Sequence, residues 1–350
     1  MRAESDLAPD RRARVVDIAR LARVSTATVD RVLNRRPGVR DATVQRVLKA
    51  AAELDYLPGE ELHAALAPAP LRLTFLLPGG NNRFIRMLGD MVGYSHEHWS
   101  VFNVRCRTEF IESFDPQALA QALLHHGQRS DGIVMMALEH PAVREAVATL
   151  ALSGVPVVTV ISDLANSQRV AYIGLDNRAA GRTAGYLIGR FIGARTAKVA
   201  LIAGSRSYSA HEEREAGFLS VIDEMFARLE VVGLREGQDD AVKNYRQTRT
   251  LLEQHPQLAG IYNIGGASDG VARALKEAGR SQQVVFVGHG LTPDTRALLI
   301  DGSMDAVITQ SPQTAMMSCV RIFANLRDRR EALSGVEATR SQVIFRENLP

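Results

Sequence analysis

The stretch VVDIARLARVSTATVDRVLN, residues 15–34, carries more of the reading than any other part of the chain. Ile18, Leu21, Val29, Val32 and Leu33 recur at three- and four-residue spacings, as do Val44, Val47, Leu48 and Ala51 further on. Such spacing lays apolar side chains along one helical face. Three short helices are predicted between Val15 and Leu54, with Ser25 capping the second and Asp41 the third. Asn34-Arg-Arg-Pro-Gly38 reads as the loop between them, and Pro58-Gly59 breaks the pattern. Two short helices joined by a tight turn make a helix-turn-helix, whose second helix lies in the DNA major groove with its first residues at base edges. That helix would begin at Thr26. Thr26, Ala27 and Arg31 are expected to face outward, and Val29, Val32 and Leu33 inward. Ser25, Thr28 and Asn34 can donate to phosphates, and Arg31 can contact guanine with two bonds. Periodicity alone fits a small helical bundle with solvated charges equally well.

Charge sharpens the contrast between the two ends. Residues 1–58 hold twelve Arg/Lys against eight Asp/Glu, whereas the remaining 292 residues hold thirty against thirty-one. A basic end is where a polyanion is expected to bind. Residues 1–13 read as a flexible arm, 14–58 as the helical head and 59–70, ending in Ala-Pro-Ala-Pro, as hinge and linker. From 71 to 350 the texture changes to apolar strands alternating with amphipathic helices. Strands are predicted at 71–77, 131–137, 156–161, 198–204, 259–265, 284–288 and 305–309. Helices are predicted at 115–126, 178–192, 212–226 and 312–326, among others. Strands apolar on both faces belong to parallel sheets covered by helices. The fold class is therefore α/β: an all-α head followed by a two-lobed, doubly wound parallel-sheet body.

The head closely resembles the lactose repressor / purine repressor family. The family run D-I-A-x-x-A-G-V-S-x-x-T-V-S-R-V-L-N is met here by Asp17-Ile-Ala, Ala22, Val24-Ser25, Thr28-Val29 and Arg31-Val-Leu-Asn34, followed by Tyr56 and Pro58. Arg23 stands where the family has a turn glycine, and Asp30 where it has a serine. The resemblance implies a hinge helix over residues 59–66, GEELHAAL, that wedges Leu66 into the minor groove. Leu66 falls one residue later than the family spacing, and Glu60 and Glu61 would lie near phosphates.

The resemblance continues through the body, which is similar to type I periplasmic sugar-binding proteins. It implies a small effector, a sugar or polyol, held between two lobes at the C-terminal ends of the strands. Motif by motif it nominates Asn82 and Phe84 (family N-P-F-F), Ser162 and Asp163 after PVVTV, Arg214 (R-x-x-G-F), Asn263, His289 where many relatives have Asp, and Gln310 (Q-x-P). The alternatives are an Arg214 paired with Glu213 or Glu215 on a helix face, a structural His289, and a simple turn at Ser162-Asp163. Asp176-Asn177 reads as a cap and lobe connection.

The family also implies a homodimer, possibly a tetramer, on near-palindromic operator DNA. A stand-alone sugar- or nucleobase-binding sensor is the second reading; it would share the body but have no use for residues 15–54. No nucleotide-binding, serine-hydrolase or zinc-protease motif is present, so no enzyme and no cofactor is expected. Cys106 and Cys319 form neither a metal-ligand spacing nor a disulfide framework. The N-terminus has no apolar h-region and no apolar run approaches membrane length, so a cytoplasmic protein is expected.

Overall fold

The computed structural model describes residues 13–34, 36, 38–56, 69–94, 102–112 and 114–350. It divides into two compact units, residues 1–69 and 70–350. Residues 59–68, and with them Leu66, lie outside the described residues.

In the first unit, helices α1 (Val15–Ala22), α2 (Thr26–Leu33) and α3 (Asp41–Glu53) pack around Ile18, Val29, Val47, Leu48 and Ala51, each essentially inaccessible. Val24, Leu33, Val44 and Tyr56 close over this core. Arg23 ends α1 at φ 54°, ψ 52°. Its N–H donates to Arg20 and that of Val24 to Ala19, a Schellman cap that requires a left-handed residue. Arginine there costs about 1 kcal/mol over glycine. Arg23→Gly is accordingly expected to raise the head's melting temperature by a few degrees. A lowered temperature would mean that the turn is not left-handed in solution.

Ser25 caps α2 as expected, its Oγ accepting from the Thr28 N–H at 3.2 Å. The cap of α3 differs from expectation. The helix starts at Asp41 itself, with Arg40 in the cap position and no side-chain capping bond.

In the second unit, β1 (Leu71–Pro78), β2 (Val104–Ile111), β3 (Gly132–Met135), β4 (Val157–Val160) and β5 (Ala171–Ile173) form one parallel sheet in the order β2-β1-β3-β4-β5. The second sheet contains β6 (Ala197–Ala203), β7 (Leu229–Glu236), β8 (Leu258–Asn263), β9 (Val285–His289), β10 (Ala306–Thr309) and β11 (Gln342–Ile344), in the order β11-β10-β9-β8-β6-β7. Only β11 runs antiparallel. The chain passes from the first lobe to the second after β5. It returns after β10 so that helix Pro312–Arg327 packs Met316, Cys319, Val320 and Phe323 into the first core, and crosses again to reach β11. Two-layer burial on both faces gives each lobe its own core.

All seven predicted strands are present. The four missed ones, β2, β5, β7 and β11, are the four sheet edges. β2 reads Val-Arg-Cys-Arg-Thr-Glu-Phe-Ile, with Arg105 exposed between buried Val104 and Cys106. An edge strand is only half-buried, so it lacks the continuous apolar run by which the interior strands were recognised.

Helices Asn177–Ile192 and Ser209–Met225 lie unusually close. A Cβ at Gly181 would come within 2.0 Å of the Arg214 carbonyl, and one at Gly217 within 2.1 Å of the Arg178 carbonyl. Backbone-to-backbone contact at these glycines sets the height of Arg214 above the sheet.

Candidate functional site

An inner cavity of about 50 Å³ lies between the lobes of the second unit. It opens through shared walls at Asn82, Phe84, Gly266 and His289 into a cleft of about 610 Å³. Met136 follows β3, Ile161 follows β4, Gly265-Gly266 follow β8, His289 ends β9 and Gln310 follows β10. Each therefore sits at the C-terminal end of a strand, where open α/β sheets hold ligands. Polar contacts bridge the lobes beside the cavity. The Asn82 amide donates to Asp239 at 2.9 Å, and Arg83 pairs with Asp294 at 2.6 Å. Asn82 also caps helix Arg83–Tyr94 by accepting from the N–H groups of Phe84 and Ile85. A Cβ on Gly290, which has φ 77°, would meet the Phe84 side chain at 3.2 Å; glycine lets the Phe84 wall of the cavity settle there.

Arg214 is the buried cation of the cavity. Its Nε donates to Asn177 Oδ1 at 2.8 Å and its Nη1 to the Ile264 carbonyl at 2.9 Å. The Asn177 amide in turn donates to the Tyr172 hydroxyl, whose single proton is shared between the Ile161 and Leu175 carbonyls, each at 3.0 Å. Ile161 holds φ 66° in a turn closed by the Ser162 N–H on Val160 at 2.7 Å. A β-branched residue in that region is strained, and the strain falls on a cavity wall beside a lobe crossing. Glu215, the alternative partner for Arg214, instead pairs with Arg206 at 3.0 Å.

Two histidines, His211 buried and His289 half-buried, complete the polar wall. His289 Nε2 lies 2.6 Å from the Tyr262 hydroxyl, which stacks in turn on Phe218. His211 Nδ1 lies 2.9 Å from the Ser205 carbonyl. Burial pushes His211 down to about 4, with Asp239 opposing and Arg214 adding to the shift. Burial, then Arg214 and His211, hold His289 well below the ordinary histidine range. Both are neutral at pH 7. A histidine depressed in the folded state contributes stability that is present above its unfolded value near 6.5 and lost as pH falls toward the folded value. Folding stability is therefore expected to decline between pH 6.5 and 5, by about 1.4 kcal/mol per pH unit for each histidine. His289→Gln should lessen that slope in urea titrations; an unchanged slope would contradict the assignment.

Of the eight nominated residues, Asn82, Phe84, Arg214, His289 and Gln310 line the cavity. The other three are corrected. Ser162 is buried against Ser209 at 3.2 Å. Asp163 is bound through both carboxylate oxygens to Arg169 and also accepts from Thr159. Neither lines the cavity. Asn263 holds the loop after β8, donating to the Gly266 carbonyl and Ser268, and shapes the cavity from behind. His211, Asp239 and Asn177 were not anticipated. Asp176 does cap its helix, accepting from the Ala179 N–H, but its neighbour Asn177 supports Arg214.

In the first unit, Ser25, Thr26, Ala27 and Arg31 are exposed, Thr28 is half-exposed, and Val29 and Val32 are buried, so α2 presents its polar face outward. Asn34 is a correction. Its amide donates back to Asp30 Oδ1 at 2.8 Å and to the Asp30 carbonyl, so it is not a spare phosphate donor. Asp30 also pairs with Arg36 at 3.2 Å.

Residues 15–59 match the bacterial regulatory proteins of the lacI family, and residues 113–331 match the periplasmic binding protein domain. The chain belongs to the periplasmic binding protein domain family and carries a lacI-family regulatory domain at its head. The ribose operon repressor of Halalkalibacterium halodurans is 27% identical over 291 residues, 82% of this chain and 79% of that protein. The ribose import binding protein of Escherichia coli is 30% identical over 172 residues, 49% of this chain. The chain spans 57% of that binding protein's length, less than two thirds. The glucose-galactose binding protein of Geobacillus stearothermophilus superposes with a TM-score of 0.73 at 22% identity, covering 81% of this chain and 100% of that one. The lacI-family match falls on the helix-turn-helix, and the solved structure shares the fold of the body. Among the described residues no helix is long and apolar enough to cross a membrane.

Proposed function

We propose that this protein is a sequence-specific transcriptional repressor whose operator affinity is set by a small sugar or polyol bound between the lobes. The observation that carries the reading is one chain holding both an outward-facing helix-turn-helix and a buried, polar inter-lobe cavity around Arg214. The relatives named for ribose support a pentose- or hexose-sized effector. A single α2 helix contacts too few base pairs for selectivity, so the reading includes a homodimer on a near-palindromic operator in the cytoplasm. The matched families are regulatory and binding ones, which supports a binding rather than a catalytic role.

Residues 59–70 are the only covalent path from body to head. Any coupling of ligand to operator runs through that path, as linkage between the two sites requires. The test is selection of genomic fragments by the purified protein, followed by footprinting and sedimentation. The reading predicts a protected near-palindrome bound by a dimer. A monomer at micromolar concentration that selects no fragment would overturn it.

A further inference from the structure

The chemistry of the cavity wall is one-sided. Its lining residues include one cation, Arg214, and, among the described residues, no carboxylate. Arg214 is buried, and both of its hydrogen bonds go to neutral oxygens, the Asn177 amide and the Ile264 carbonyl. A buried guanidinium is costly without an anionic partner. Asp239, whose charge acts on Arg214, makes no hydrogen bond to it and has both oxygens engaged, Oδ2 by the Asn82 amide and Oδ1 by the Gly266 N–H.

The two histidines add to this. The fully buried Tyr262 hydroxyl has His289 Nε2 as its partner, and donating its proton there leaves Nδ1–H as the donor of the ring. His211 Nδ1 lies 2.9 Å from the Ser205 carbonyl and 3.3 Å from the Ser205 nitrogen; the shorter contact favours the Nδ1–H tautomer, which leaves Nε2 as an acceptor. Gln310 is 5% exposed, and its Oε1 accepts no hydrogen bond. The wall thus offers a cation and a neutral N–H donor together with two acceptors that lack a hydroxyl.

We infer that the effector is a polyhydroxylated anion, a sugar acid or sugar phosphate, whose charged oxygens meet Arg214 and His289 and whose hydroxyls meet Gln310 and His211. This rests on the sugar-responsive reading above and narrows it. A neutral sugar would leave the Arg214 guanidinium without an anionic partner; the carboxylates Asp90, Asp240, Asp269 and Asp294 line the outer cleft, where Arg83 and Arg86 stand beside them. An anionic oxygen makes shorter and stronger bonds to a guanidinium than a hydroxyl does.

The full-length protein tests this by thermal shift and calorimetry with matched probes: D-ribose and D-glucose as neutral arms, D-ribonate and D-gluconate as carboxylate arms, ribose 5-phosphate and glucose 6-phosphate as phosphate arms. The expected result is at least one anionic probe binding about tenfold or more tighter than its neutral parent. Whichever anionic arm is tighter names the source of the charge. His289→Asp, which sets a carboxylate on the wall, should cancel that preference, and Arg214→Gln should reduce it to near unity. Should Arg214→Gln fail to fold, the wild-type comparison and His289→Asp still decide. Neutral parents binding as tightly as their anions would overturn the inference and leave the sugar-responsive reading standing. No binding in any arm would overturn both.

Discussion

Arg214→Ala is expected to abolish the effector's influence on operator affinity while leaving effector-free operator binding within about twofold of wild type. The side chain is buried at the cavity, between Asn177 and the Ile264 carbonyl, in a unit separate from the helix-turn-helix. Its loss removes charge-assisted hydrogen bonds to the ligand, about 1.5–3 kcal/mol, or roughly 10- to 150-fold in affinity. Gln310→Ala should act in the same direction but more weakly, about 1 kcal/mol, because it loses one neutral acceptor. Calorimetry on both variants checks this. If Arg214→Ala binds effector as tightly as wild type, Arg214 does not contact it.

The second large effect belongs to α2. Arg31 is exposed on the helix that carries the base-reading positions, while Asp30 beside it is paired with Arg36. If Arg31 reads guanine, Arg31→Ala costs about 1–3 kcal/mol on the operator and relaxes specificity at one base pair. Binding to a panel of single-base operator variants distinguishes this from a phosphate contact, which would weaken every sequence alike.

The interior of the fold could be read because the physics there leaves one pattern. Strands buried on both faces, such as β1 and β4, are continuous apolar runs. The edges β2, β5, β7 and β11 mix charged and apolar residues or are only three residues long, and they were passed over. One missed edge hid part of the site. Asp239 follows β7 in the polar loop Glu-Gly-Gln-Asp-Asp, and with β7 unrecognised nothing marked that loop as lying near the cleft.

His211 carried a signal that went unused. It precedes Arg214 by three residues on the same helix, so both share a face. Asp163 misled because a polar residue after a strand can turn outward, and the pairing with Arg169 was not visible in spacing. In the head, the departure at position 23 was informative. An arginine where the family has glycine flagged the one left-handed residue of the turn, and φ 54° is what the structure holds there.

The central claim is that one ligand in the body controls one operator at the head. Linkage states this quantitatively: effector must change operator affinity by the same factor that operator changes effector affinity. The direct measurement is a pair of titrations on the full-length protein, with the tightest ligand from the sugar panel: fluorescence anisotropy of labelled operator with and without saturating ligand, and calorimetry of ligand with and without saturating operator. The account predicts two equal factors of about 5 to 150, both reduced to unity in Arg214→Ala. Tight ligand binding with an operator affinity that does not move would contradict it.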